Sequence, residues 1–425
     1  MNVWFVVCQW VVIILSVYSA PLMIWLLTTA CAGLLPSKEL KPEEEKRHRF
    51  AVLVCARNEE RVIGNLIASL KAQDYDGDAY HIFVVADNCT DKTADVSRGY
   101  GATVYERFDA EKRGKGFALH YGINRLIAEH KDDFDALCVF DADNLAAKDF
   151  LTEMNRALCS GADVALGYRD TKNIHDSWIS EVYSVYWLML QRFYHGARHK
   201  LGLSSMVGGT GFAFKLEVLG KEGWTTYSLT EDVEFSIQQI CAGRKILPAK
   251  KAVFYDEQPT TVGVSVKQRF RWMIGGMQCI PLYFSRIIKK VFSGDWKALD
   301  LLWYVFFIPA TGLALPLNAA VIGMLFLNPA LQAFSVPILL GMLAGNWIAA
   351  MVTAILTLAL EKRKLRPMLR AVVLYPVFML SMMVIALAAI FNPRTEWVPI
   401  EHSSQRKIED IEKATAVLEE PGERL

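Results

Sequence analysis

The 425 residues are 53% apolar and carry a net charge of only +1, which leaves room for more than one domain and excludes the basic footprint of a nucleic-acid-binding protein. Eight scattered cysteines with no Cys-x-x-Cys pair exclude a disulfide frame or a zinc site and fit thiols kept reduced. No internal repeat or low-complexity segment is present.

Val3 to Leu35 is apolar, interrupted only by Gln9 and small hydroxyl residues. A crossing needs about 20 apolar residues, so residues 1–35 read as one transmembrane helix and are short for two. A cleaved signal peptide fits poorly, because no basic segment precedes the run and the run is too long. The linker at 36–49 carries Lys38, Lys41, Lys46, Arg47 and Arg49 among glutamates, a weak sign that this end is cytoplasmic.

A soluble pattern holds over 50–262. Phe50–Cys55 reads as a strand, followed by a helix opening at about Arg57 and running to Gln73. His81–Ala86 is a second strand, ending in Asp87, and Thr103–Tyr105 a short third. Gly116–His130 is helical, and Ala136–Phe140 is a buried strand that ends in Asp141–Ala142–Asp143–Asn144. Strands alternating with helices of 10–15 residues predict an α/β domain with a mostly parallel sheet, whose strand ends converge on one rim. Ligands bind at that rim. Glu59, Asp87, Asp141 and Asp143 all fall there. Two acids at spacing two point to the same side of an extended chain, so one can hold a divalent cation and the other something beside it. Taken alone, an Asp-x-Asp pair reads more readily as a strand end capped by solvated acids.

Between these acids, Glu111–Gly116 places Lys115 between two glycines. This loop suits either phosphate contact or an ordinary basic helix start, and its spacing is not that of a P-loop. Beyond Asp143 the pattern predicts a helix over Asp149–Cys159, a strand over Ala162–Tyr168 and an aromatic-rich segment from Trp178 to Tyr194. His195 and His199 are four apart, yet no third metal ligand is evident. The glycine-rich Val207–Phe212 is either a bulge or a place where substrate touches backbone, with Gly209 and Thr210 as acceptor contacts. Thr230 is placed to cap a helix, which puts Asp232 in its first turn as a plain helix-start acid or as a general base. Residues 263–298 are amphipathic and basic, and Gln268, Arg271 and Trp272 suit a headgroup boundary or a pocket for sugar and diphosphate. Three further membrane helices follow within 299–391, at about 299–327, 331–360 and 371–391, and a polar tail occupies 392–425. The basic Glu361–Arg370 loop reads as cytoplasmic.

Asp-x-Asp at Asp141/Asp143, Thr-Glu-Asp at Thr230–Asp232 and Gln-x-x-Arg-Trp at Gln268–Trp272 occur in this order inside an α/β domain bounded by membrane helices. Together they resemble the family 2 membrane glycosyltransferases, which include cellulose, chitin, hyaluronan and poly-N-acetylglucosamine synthases. The resemblance covers about 50–281. It implies a GT-A-type, Rossmann-like cytoplasmic domain flanked by transmembrane helices in a plasma (inner) membrane, a nucleotide-sugar donor such as a UDP-sugar, Mg²⁺ or Mn²⁺, and inversion at the anomeric carbon. By position, Glu59, Asp87 and Lys115 match donor contacts, Asp141 and Asp143 the donor and metal pair, and Asp232 the general base. Gln268, Arg271 and Trp272 match the junction of diphosphate and acceptor. A growing polysaccharide is the expected acceptor, with a lipid-linked acceptor taking a single sugar as the alternative. The competing class, a transporter or nucleotide-sensing scaffold, is disfavoured because Leu301–Leu360 contains no charged residue. If all three C-terminal stretches cross, the tail emerges opposite the catalytic domain. Thr395–His402, however, resembles a segment such enzymes keep on the cytoplasmic side. Either one stretch is re-entrant or interfacial, or the resemblance of the tail misleads.

Overall fold

The computed structural model describes residues 2–130, 132–295, 297–392, 404–411 and 413. Helix α1 (Val3–Cys31) leads to strand β1 (Phe50–Ala56), whose residues are buried apart from a half-buried Cys55. A strand this apolar throughout must be covered on both faces. Val52 and Val54 point into one core layer and Ala51 and Leu53 into the other, as the two-residue repeat of a strand requires. Around β1 lie α2 (Ile63–Lys71), β2 (Tyr80–Asp87), α3 (Thr93–Gly99), β3 (Thr103–Arg107), α4 (Lys115–His130) and β4 (Ala136–Asp141). Helix α2 begins six residues later than the sequence pattern predicts. The chain turns sharply after β1, with Asn58 in a left-handed conformation at φ 57°, and this loop carries Glu59.

The chain continues through β5 (Leu145–Ala146), α5 (Phe150–Cys159), β6 (Val164–Thr171), α6 (Trp178–Met189), a π-helical stretch over 190–196, α7 (Ala197–Leu201), β7 (Phe212–Lys215), α8 (Glu231–Cys241) and β8 (Ile246–Asp256). Sheet order is β3-β2-β1-β4-β7-β6-β8-β5. Strands β1 to β4 are mutually parallel and β6 runs parallel to β8, whereas β7 and β5 are antiparallel to their neighbours. The sheet is therefore mostly parallel but mixed. The short β7 returns the chain across it, which brings the glycine-rich turn ahead of Phe212 to the end of β4.

Residues 262–292 form one continuous helix, α9 (Val262–Phe292), despite Pro281. It is followed by α10 (Lys297–Leu327), α11 (Ser335–Leu360) and α12 (Leu369–Phe391). The four segments Val3–Leu34, Lys297–Leu327, Gln332–Leu360 and Arg366–Phe391 are long and apolar enough to cross a membrane. Helix α1 runs along α10: Tyr18 donates to the Phe306 carbonyl at 2.7 Å and Trp25 Nε1 to Asp300 at 2.8 Å. Asp300 is in turn paired with Arg198 of the catalytic domain at 2.8 Å. The 361–370 loop lies against that domain. Its Glu361 accepts from Tyr168 at 2.8 Å, Arg363 pairs with Asp170, and Arg370 pairs with Glu181 at 2.8 Å.

Helix α12 meets Gly312, near the middle of α10, through Ala386, Leu387 and Ile390. The chain then reappears on the catalytic domain. Ser404 N–H donates to Glu257 at 3.2 Å, Arg406 to the Lys172 carbonyl at 2.9 Å, and Ile408 and Ile411 bury themselves against Leu145 and Tyr255. Ser404–Ile411 thus lies on the α/β domain. The Thr395–His402 segment falls outside the described residues.

Candidate functional site

Three parallel strand ends form the floor of the site. In the register, Ala86 of β2 faces Ala56 of β1, and Cys55 of β1 faces Asp141 of β4. Asp87 and Asp141 therefore flank the end of β1, with Glu59 in the loop just beyond. Glu59 N–H donates to Thr93 Oγ1 at 2.8 Å. Asp87 is buried and accepts from Arg107 at 2.5 Å and from Asn88 at 3.0 Å. Cys55, at the same rim, is no nucleophile, because burial raises its thiol pKa.

Lys115, at the start of α4, reaches across to donate to Asp141 and to the Gly209 carbonyl, the latter at 2.7 Å. Burial alone would lower its pKa, but Asp141 and Glu231 more than offset this and raise it. Lys115 is therefore a fixed cation bridging the Asp-x-Asp strand end and the glycine turn. On the far side of that turn stands Asp232. A methyl group placed at Gly209, whose φ is +86°, would lie 3.6 Å from Asp232 Oδ2. A side chain at position 209 would be strained by the positive φ and would lie in contact with the carboxylate. Two of the three motifs thus meet here: Lys115 ties Asp141 to the Gly209 turn, and Asp232 stands beside that turn.

Asp232 and Glu231 open α8 side by side. Burial raises the pKa of Asp232 against the pull of backbone N–H groups, Lys115 and Arg169. Burial and then repulsion from Asp232 raise that of Glu231. Thr230 occupies the N-cap position as expected, but its side chain makes no capping bond. A methyl group on Gly275 of α9 would come within 2.6 Å of the Thr230 side chain and 2.7 Å of its backbone nitrogen. Thr230 is the point where the membrane-side helix seats on α8.

Thr210 is not an acceptor contact in this geometry. It is 1% exposed, and its hydroxyl accepts from Asp141 N–H at 2.8 Å and donates to Asn144, so it stabilises the strand end instead. Asp143 is 4% exposed, and its carbonyl accepts from Lys172 at 3.0 Å. Among the described residues no group of three His, Cys, Asp or Glu side chains could hold a metal ion. Asp141 and Asp143 together offer two carboxylates, which is the donor set of a Mg²⁺ or Mn²⁺ that takes its remaining ligands from phosphate and water. The residues fit such an ion only in company with a phosphate-bearing ligand.

Gln268, Arg271 and Trp272 lie on the catalytic-domain end of α9. Trp272 packs edge-on against Trp187, with centroids 5.6 Å apart, and against Tyr183 at 6.3 Å. Gln268 Oε1 and Arg271 Nε are buried and make no hydrogen bond among the described residues. His195 and His199, by contrast, are simply buried, and desolvation lowers both pKa values. Residues missed in the sequence are Glu231, Arg169, Lys172, Asp256, Gln258 and Trp187. Two carried a usable signal: Arg169 directly follows the apolar strand read over Ala162–Tyr168, and Asp256 is a strand-end acid like those already singled out.

Comparison with known proteins places this geometry in context. The model of the family described as "Glycosyltransferase like family 2" matches residues 48–275. The probable glycosyltransferase YdaM of Bacillus subtilis is 24% identical over 84% of this chain and 88% of its own length. Beta-monoglucosyldiacylglycerol synthase of Synechocystis is 26% identical over 60% of this chain, which spans 53% of that protein. Among solved structures, mannosyltransferase PcManGT from Pyrobaculum calidifontis, in complex with GDP-Man and Mn²⁺, superposes with a TM-score of 0.60. It shares 16% identity, covering 90% of this chain and 99% of that one.

Proposed function

Because this chain belongs to glycosyltransferase-like family 2, we propose that it moves one sugar from a nucleoside-diphosphate donor, with inversion, onto a hydroxyl presented by a membrane lipid. Its soluble domain is a GT-A fold and its donors are nucleotide sugars. The convergence of Asp232 with Asp141 and Lys115 at Gly209 carries the mechanistic reading. A single displacement needs a base for the acceptor proton and no enzyme nucleophile. Asp232 is the base: its raised pKa gives it a useful affinity for that proton, and the glycine turn leaves space for the incoming hydroxyl. Asp141 and Asp143 would hold a divalent cation, which supplies positive charge to the departing diphosphate. Lys115 keeps Asp141 in place, and Glu59 and Asp87 line the donor side. Arg271 Nε can donate to a phosphate oxygen, and Gln268 Oε1 can accept from the acceptor. A ligand in this position would satisfy two buried polar atoms that otherwise lack partners.

The packing of the membrane helices supports a lipid acceptor over the threaded polysaccharide expected from the sequence. Helices α1, α10 and α12 lie side by side in close contact. A methyl group at Gly312 would clash with the α12 backbone at 2.7 Å, and one at Gly323 with Cys8 of α1 at 2.9 Å. Such helices favour an acceptor that stays in the bilayer and offers only its head to the cleft. The name of the Synechocystis relative, a glucosyldiacylglycerol synthase, agrees with a lipid acceptor. Chain-building has in its favour the half-buried Trp272, packed on Trp187 and Tyr183, and the name of another relative, a poly-beta-1,6-N-acetyl-D-glucosamine synthase of Staphylococcus epidermidis. We also propose that the enzyme is multi-pass, with its catalytic domain in the cytoplasm, where nucleotide sugars are made. The test is to supply purified protein in lipid nanodiscs with a panel of nucleotide sugars and Mg²⁺ or Mn²⁺, then to analyse products by mass. One hexose per lipid is expected, and a ladder of longer glycans would reject the single-transfer reading.

A further inference from the structure

We propose that Arg169, buried at the end of β6, is a positioning residue for sugar transfer: it holds the glycine turn beside Asp232 in fixed relation to the Asp-x-Asp strand end. The proposal rests on the reading of the cleft given above. Arg169 is 6% exposed. One arm of its guanidinium donates to the Gly208 carbonyl, and the other pairs with Asp256 at 3.3 Å. Asp256 accepts from Asn144 Nδ2 at 2.8 Å, Asn144 Oδ1 accepts from Thr210, and Thr210 accepts from the Asp141 N–H. Only Gly209 separates Gly208 from Thr210, so these contacts close a ring. One side of the ring is the strand end at 141–144 and the other is the turn at 208–210, and Arg169–Asp256 joins them.

The ring has a branch. The Arg169 guanidinium stacks on the Trp187 ring at 4.0 Å. Trp187 Nε1 donates to Gln258 Oε1 at 2.9 Å, and Gln258 Nε2 returns to Asp256 at 2.8 Å. Trp187 also packs on Trp272 of α9. One guanidinium therefore sets the spacing of three pieces that lie far apart in sequence: the metal-side acids, the turn beside the base, and Trp187 of α6, against which Trp272 of the membrane-side helix packs. A buried ion pair is weak evidence for stability, since apolar residues often replace one without loss. A planar fork that bonds two partners and stacks on a third has a geometric role that neither lysine nor a hydrocarbon reproduces. The Arg169–Asp256 pair itself is assigned no contact with the reacting atoms. Its effect on chemistry passes through Gly209, Asp232 and Asp141.

The test separates positioning from folding. Arg169→Met alone strands the buried Asp256 charge and risks misfolding, so the double variant Arg169→Met/Asp256→Asn removes both charges, and Arg169→Lys keeps the charge without the fork. Each is purified in nanodiscs and compared with wild type for thermal unfolding, kcat, KM for the nucleotide sugar, and calorimetric binding of nucleoside diphosphate with Mn²⁺. The double variant and Arg169→Lys are expected to unfold near the wild-type temperature and to bind the diphosphate within about three-fold. Their kcat should fall about a hundred-fold, the cost of misplacing reacting groups by about 1 Å. A double variant with wild-type unfolding and kcat within about three-fold of wild type overturns the proposal, as does a loss confined to KM. If wild type consumes no nucleotide sugar, the reading of the cleft fails and takes this proposal with it. An active wild type with an equally active double variant sinks the positioning role alone.

Discussion

In the Asp232→Asn variant the side chain keeps its shape and loses its charge, so catalysis and stability should move in opposite directions. The wild-type carboxylate is half-buried beside Glu231, and desolvation raises its pKa. A group whose folded pKa lies above its unfolded value contributes stability that is complete below the unfolded pKa and lost as pH rises through the folded one. At neutral pH, then, ionised Asp232 weakens the fold, and the neutral amide of the variant carries no such penalty. The unfolding temperature of the variant should rise near pH 7.5, and the difference from wild type should shrink as pH falls towards the ordinary carboxylate range. Activity should do the reverse. Loss of a positioned base costs about 10²–10⁴ in kcat, or about 3–5 kcal/mol of barrier at 1.36 kcal/mol per decade. Wild-type kcat/KM should rise with pH through the raised Asp232 pKa. The assay measures free nucleoside diphosphate release and sugar incorporation across pH, beside thermal unfolding of the same preparations. A variant with kcat within ten-fold of wild type, or with a lower unfolding temperature at neutral pH, refutes the reasoning.

Arg198→Ala breaks the pair with Asp300, in which the side chains are 1% and 7% exposed. Leaving a buried charge unpaired costs about 3–5 kcal/mol, so thermal unfolding in detergent should show a large loss that Asp300→Asn partly restores. Gly275→Ala places a methyl group 2.6 Å from the Thr230 side chain. This overpacking should cost about 1–3 kcal/mol and lower kcat as α9 pushes on the start of α8, effects that unfolding and single-turnover measurements would detect. Chelation with EDTA should abolish transfer, with recovery on adding Mg²⁺ or Mn²⁺. Asp143→Asn should raise the metal concentration needed for half-maximal binding of nucleoside diphosphate, read by calorimetry.

What the sequence determined by itself were the features that local chemistry writes into short runs. Unbroken apolar stretches marked the helices long enough to cross a membrane, and the short apolar runs Phe50–Cys55 and Ala136–Phe140 read as strands. The acids at those strand ends were legible because a parallel sheet sends all its carboxyl ends to one rim. Tertiary structure alone decided what those acids do to one another. The glycine turn lies between Asp232 and the Lys115–Asp141 pair only because β7 runs antiparallel and folds Gly208–Thr210 back over the end of β4, and a strand of four residues carries too little pattern to reveal its direction. Thr210 read as an acceptor contact in a glycine-rich turn, yet its hydroxyl is buried and bonded within the protein, since its partners are set by neighbours 66 and 69 residues away. Arg169 and Asp256 form a bond that no spacing rule could foresee. Periodicity records which face a residue shows to its own element, and pairing across the sheet depends on how the whole chain is wound.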